Sequence, residues 1–233
     1  MRPQQTRDSL RLMQRHSGEH AFTLIELLTV IVVAAILFGI AFPAYISVME
    51  RARKTEAQNS EQQIVTAVNA YYTEYGKYPI PAGTTTDTIY GPGGTFTSDV
   101  LFDVLRNNTN PSGPNLATVT SLNPRQIVFI QPRTSKLSNP AKSGIGSTGA
   151  ELGVWFDPWG SPYRVKIDGD YNNQLTTNPY TDAPGGQPVY IGVIAWSFGK
   201  NGVLGGGAPA AGFTAEPGTA NNVSGSGDVI SWQ

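Results

Sequence analysis

Hydrophobic positions fall into two unlike rhythms along this chain, one unbroken run near its start and periodic or short clusters afterwards. From Phe22 to Phe42 almost every side chain is apolar, and a single charge, Glu26, interrupts the run. At about 1.5 Å per residue such a helix spans the roughly 30 Å hydrocarbon core of a bilayer. The helical pattern continues past Pro43 through Met49 and then turns amphipathic. Ile64, Val68, Tyr71, Tyr72 and Tyr75 share one stripe, and Glu50 and Lys54 form an i,i+4 pair on the wet side. Gly76 and Pro79 end it. The pattern predicts one element from Phe22 to about Gly76, roughly 80 Å if straight, with its first half in lipid and its second half packed on protein. Pro43 removes a backbone donor and is expected to bend it where it leaves the lipid.

After this element the periodicity weakens. Ile80 to Thr97 is rich in Gly, Pro and Thr and reads as a loop, and Ser98 is placed to cap a short helix to about Asn107 with Val100, Leu101, Val104 and Leu105 inward. A Pro/Ser/Asn-rich connection over 108–124 leads to a predicted strand, Gln126 to Gln131, and a further loop covers 136–149. Asp157-Pro158-Trp159-Gly160-Ser161-Pro162-Tyr163 is a turn feeding an alternating strand, Tyr163 to Ile167, and Val189 to Trp196 is a second strand. The two are expected to form a meander on the amphipathic half of the long helix, in an α+β fold with a loop-rich C-terminal part. All four tryptophans, Trp155, Trp159, Trp196 and Trp232, belong to that last part of the core.

Composition narrows the function. Arg2, Arg7, Arg11 and Arg15 outnumber Asp8 and Glu19 before the apolar run, so the positive-inside rule keeps that end in the cytoplasm and sends the rest outward. An ordinary secretory signal has a shorter apolar core with its cleavage site after it; an uncleaved signal anchor stays an alternative. No basic face with interleaved aromatics points to nucleic acid. The chain has no cysteine, and both histidines, His16 and His20, precede the apolar run. The chain from Phe22 onward therefore offers no Ser-His-Asp triad, no Cys-His pair and no nitrogen or sulfur zinc site, leaving only carboxylate or lysine chemistry to an enzyme. Asp168-Gly169-Asp170-Tyr171-Asn172-Asn173 repeats side-chain oxygens, but Asn173 replaces the glycine and Pro179 the glutamate of an EF-hand count, so it reads as a solvated hairpin loop.

Ala21-Phe22-Thr23-Leu24-Ile25-Glu26-Leu27-Leu28 resembles the processing site of type IV pilins and of the pseudopilins of type II secretion. The resemblance implies cleavage by a prepilin peptidase between Ala21 and Phe22, N-methylation of Phe22, and a Glu26 that pairs with the terminal amine of a neighbouring subunit during assembly. Ala21 stands where glycine is usual, and Pro43 falls at the family's helix-kinking proline. Two further stretches, Asn69 to Pro79 and Asp157 to Tyr163, resemble the helix end and the Asp-Pro-Trp-Gly turn of major pseudopilins. Ser197 to Gly202 and Ser226 to Trp232 resemble the two arms of their calcium loop, which makes Asn201, Ser226 and Asp228 candidate calcium ligands. Asn201 replaces a common aspartate and only Asp228 is acidic; the alternative is a loop held by tucking Val229, Ile230 and Trp232 into the core.

The resemblance thus implies a pilin-like α+β fold with a leader over 1–21, a long helix over 22–76, of which 22–42 is the membrane and filament-core part, and a globular periplasmic domain over 77–233. It implies a structural, non-enzymatic subunit of a homo-oligomeric filament, anchored in the bacterial inner membrane before assembly. The leading expectation is the major pseudopilin of a type II secretion system, working with prepilin peptidase, other pseudopilins and an inner-membrane assembly platform. Alternatives are a type IV pilus subunit and a membrane-anchored exported binding module.

Overall fold

The computed structural model describes residues 22–110, 113–135, 141–183, 188–207, 210, 216–220 and 222–232. Contacts divide the chain into two units that meet between Ser47 and Val48. One helix, α1 (Leu24–Tyr75), runs through that boundary with Pro43 inside it. In the first unit the large apolar side chains from Phe22 to Ile46 are exposed, and the helix is long and apolar enough to cross a membrane.

In the second unit the helix pattern resolves into a buried stripe of Ala57, Glu61, Ile64, Ala67, Val68 and Tyr71. The stripe differs from the sequence expectation at both ends. Tyr72 lies on the exposed side, beside Tyr78 at 4.6 Å between ring centroids, while Glu61 is inside. Glu50 does not take Lys54 as its partner; it pairs with Arg53 at 3.4 Å and accepts the Trp159 indole N–H at 2.9 Å.

A four-stranded antiparallel sheet faces this stripe. β1 (Thr88–Tyr90) pairs with β4 (Arg164–Ile167), β4 with β5 (Val193–Ser197), and β5 with β8 (Val229–Ile230). The expected meander is present as β4 and β5, although the second strand starts four residues later than its hydrophobic run. Val189 instead bridges Leu175, and Tyr190 is exposed. All four residues of β4 are buried, against the alternation expected of a half-wet strand. The reason is a second core. Val165, Ile167, Val193 and Ala195 join the α1 stripe, whereas Ile194, Trp196, Ile230 and Trp232 pack with Leu175, Tyr180 and Val189 on the other face. Arg164 and Lys166 thus lie under the C-terminal loops, with the Arg164 guanidinium 3.5 Å from the Phe198 ring centroid.

Several loops expected from composition hold structure. β1 lies within 80–97, α3 (Leu116–Leu122) within 108–124, and β2 (Gly144–Ile145), paired with β3 (Trp155–Phe156), within 136–149. The helix α2 (Ser98–Arg106) is where it was expected, but Thr97 holds the cap position and no side chain caps it. Asn107 ends it in the left-handed region, its N–H turned back to Asp103 and Val104. The segment 126–131 forms no strand. Gln126 has φ 55° and the Phe129 and Ile130 N–H groups both reach the Leu105 carbonyl, so the run packs as an extended loop on α2. Two further short strands, β6 (Gly205–Gly207) and β7 (Glu216–Ala220), pair with each other.

Candidate functional site

The start of α1 is built by its own sequence. Thr23 and Glu26 form a reciprocal capping box: the Thr23 Oγ1 accepts the Glu26 N–H at 3.2 Å, and Glu26 Oε2 accepts both the Thr23 N–H and its hydroxyl at 2.8 Å. In the single chain the carboxylate therefore satisfies orphan donors of the first turn and sits at the positive end of the helix dipole. Spacing alone allowed this reading, since Thr-x-x-Glu before an apolar run is its signature. The cleavage candidate Ala21, with the rest of 1–21, lies outside the described residues; Phe22 is exposed. Pro43 cannot donate to the Gly39 carbonyl, yet helix continues on both sides of it.

A second polar centre joins α1 to the sheet. Asp157 is fully buried in the turn before β4. Its Oδ1 accepts the N–H groups of Trp159, Gly160 and Ser161 at 2.9, 2.7 and 2.7 Å, and its Oδ2 accepts the Ser197 hydroxyl from β5. Burial outweighs these bonds and pushes the Asp157 carboxyl up to about 7. Glu61 on α1 is also fully buried, and burial first, then the nearby Asp157 charge, hold it well above the usual carboxylate range. Sequence reasoning missed Glu61. Its signal was the spacing Ala57, Glu61, Ile64, which sets an acid in line with the apolar stripe.

The C-terminal loop brings the proposed calcium ligands together. Asn201 Nδ2 donates to the Gly205 carbonyl at 2.6 Å, and Asp228 Oδ2 accepts the Gly205 N–H at 2.6 Å and the Tyr180 hydroxyl at 2.7 Å. Ser226 Oγ accepts the Asp228 N–H at 3.3 Å. Gly199 on one arm lies so near the Gly227 carbonyl on the other that a side chain there would collide with it. Asp228 is the one carboxylate of the three. Val229, Ile230 and Trp232 are buried. The turn after β4, expected to be solvated, holds a buried Asp168.

Comparison with known proteins bears on the first of these stretches. A family model of the prokaryotic N-terminal methylation motif matches residues 16–42, and so covers the exposed start of α1 with Phe22 and Glu26. The chain is 41% identical over 61 residues, 26% of its length, to a type IV major pilin protein, PilE1, of Neisseria gonorrhoeae, and matches a second PilE1 sequence of that organism equally. These stretches cover 37% and 34% of the two relatives, so the chain spans about a third of the pilins it matches. No solved structure matches. The chain is type IV pilin-like in its amino-terminal motif and in its architecture of a long helix packed on an antiparallel sheet. The expected α+β fold is the one observed.

Proposed function

We propose that this protein is a structural subunit of a pilus-type filament, made as a precursor, cut between Ala21 and Phe22, methylated on Phe22, and polymerised through its apolar helix. One observation carries the reading: the residues matched by the methylation motif lead into a helix whose large apolar side chains from Phe22 to Met49 are exposed in the single chain. Before assembly a membrane covers that surface; in a filament the same helices of neighbouring subunits do. Glu26 then exchanges its bonds to Thr23 for the amine of the next subunit. Breaking such a pair by removing one partner costs roughly 3 to 5 kcal/mol in an apolar setting. The excess of arginine before the span supports a periplasmic globular part. Nothing in this role calls for catalysis.

Within this class we favour the major pseudopilin of a type II secretion system. The Asp157 to Tyr163 turn and the Asp228 to Trp232 arm support it, while the similarity to a type IV major pilin supports the pilus alternative. Calcium on Asn201, Ser226 and Asp228 belongs to the secretion reading. Chelation that leaves the melting temperature unchanged, while Asp228→Asn lowers it, would assign the loop to hydrogen bonds alone.

The test is terminal mass spectrometry of the envelope protein beside filament assembly of Glu26→Ala. The expected result is a chain starting at methylated Phe22 and a variant that is processed but does not polymerise. An intact precursor in cells with active peptidase, or normal filaments of Glu26→Ala, overturns the proposal. Deleting the gene separates the two systems, through loss of extracellular proteins with surface pili retained, or the reverse.

A further inference from the structure

Three carboxylates meet where the chain enters β1 and leaves β4. The register sets Thr88 opposite Ile167, which brings the preceding Asp87 alongside Asp168, and the turn adds Asp170. One oxygen from each of the three lies within 4.8 Å of the other two. Gly169 permits the approach, because a Cβ at that position would collide with the Thr86 carbonyl. The Oδ2 atoms are occupied. Thr176 donates its N–H and hydroxyl to Asp87 at 2.7 and 2.8 Å, with the Lys166 ammonium at 3.3 Å; the Asn173 N–H donates to Asp168 and the Asn172 amide to Asp170, both at 2.8 Å. The Oδ1 atoms of Asp87 and Asp168 are different. Both are buried and neither has a hydrogen-bond partner, in side chains that are 7% exposed for Asp87 and, for the whole residue, 1% for Asp168.

A buried carboxylate oxygen without a donor is costly, and two of them beside a third acid are more so. Lys166 answers one of the three charges and spends another proton on the Thr177 carbonyl at 3.0 Å. We propose that Asp87, Asp168 and Asp170 together bind one calcium ion. Calcium takes oxygen ligands at about 2.3 to 2.6 Å, so two ligands of one ion are at most roughly 5 Å apart, and the three carboxylates meet that limit. Asp170 is exposed, which leaves room for waters to complete the six to eight ligands the ion requires. The donor set is all oxygen, which suits calcium and magnesium and disfavours softer ions. The site is separate from the Asn201 to Asp228 loop and does not rest on the filament reading. An ion there ties the edge strand β1 to the turn that carries Tyr171, whose hydroxyl accepts the Tyr78 N–H at 3.0 Å just beyond α1. The competing explanation is a proton shared between Asp168 and Asp170, since burial and contact with Asp170 both raise the Asp168 carboxyl.

Terbium titration of the full chain, purified in detergent and stripped of metals, separates the two, with Tyr171 in the same turn as antenna. We expect saturable tyrosine-sensitised emission, displaced by calcium at a concentration at least tenfold lower than by magnesium. Asp170→Asn, a surface change that leaves the core intact, should weaken terbium at least tenfold, and Asp228→Asn should leave that component within twofold. Absence of saturable emission, or an unchanged terbium affinity in Asp170→Asn, overturns the proposal. So does a melting temperature that ignores calcium in the parent chain and rises in Asp170→Asn, which assigns the cluster to a shared proton.

Discussion

The Ser197 hydroxyl donates to the Asp157 carboxylate across 40 residues of sequence, in a place that water does not reach. Ser197 ends β5 and Asp157 opens the turn that feeds β4, so this bond closes the two central strands at one end. The same Asp157 holds the three N–H groups of its own turn, and that turn puts Trp159 where its indole N–H meets Glu50 on the long helix. One carboxylate thus connects turn, sheet and helix.

Removing that carboxylate strands buried donors. Each costs about 1 to 3 kcal/mol when left without an acceptor, so Asp157→Ala should lose about 3 kcal/mol or more in urea unfolding. Asp157→Asn keeps an acceptor oxygen and should lose less. A double-mutant cycle with Ser197→Ala should show coupling of about 1 kcal/mol or more; additive losses would show that the two groups act separately.

Stability should fall as pH rises towards 8. Asp157 is pushed up to about 7 from 3.8, and Glu61 is raised as well. The folded state therefore holds protons that the unfolded chain has released, and the stabilisation, complete below the unfolded value, is lost as pH climbs through the folded one. Melting at pH 5 should exceed melting at pH 8, and Glu61→Gln should flatten that slope. A melting temperature that increases over this interval would refute the assignment.

The first turn of the long helix depends on Thr23. Thr23→Val removes the hydroxyl from both sides of the capping box, a loss of about 1 kcal/mol. Amide exchange at residues 24–27 in detergent should then quicken about fivefold, the factor that energy represents, with exchange along 60–75 unchanged.

Gly169→Ala tests how closely the segments flanking β1 and β4 can approach. The added methyl must displace the Thr86 carbonyl, and overpacking of this kind costs about 1 to 3 kcal/mol. The loss should appear in thermal melting with or without calcium, whereas Asp170→Asn should change only the calcium response.

Local and periodic signals were enough for the long helix, the turn at Asp157 and the burial of Val229, Ile230 and Trp232, and the short motif around Phe22 and Glu26 was enough to show a resemblance. A 21-residue apolar run, a capping box and a Pro/Gly turn each carry their meaning within a few neighbours. The remaining features came from packing between distant segments. β1, β2 and β3 are two or three residues long, too short to show a period, and exist only because β4 and neighbouring segments supply their hydrogen bonds. Gln126 to Gln131 has strand composition and, among the described residues, no strand to pair with. Glu61 looked like one of many surface acids until the Asp157 turn closed over it, and Asp168 looked like a loop residue until Asp87, 81 positions earlier, was folded against it. A charge or an oxygen gains its cost or its use from what surrounds it, and those surroundings come from residues far apart in the chain.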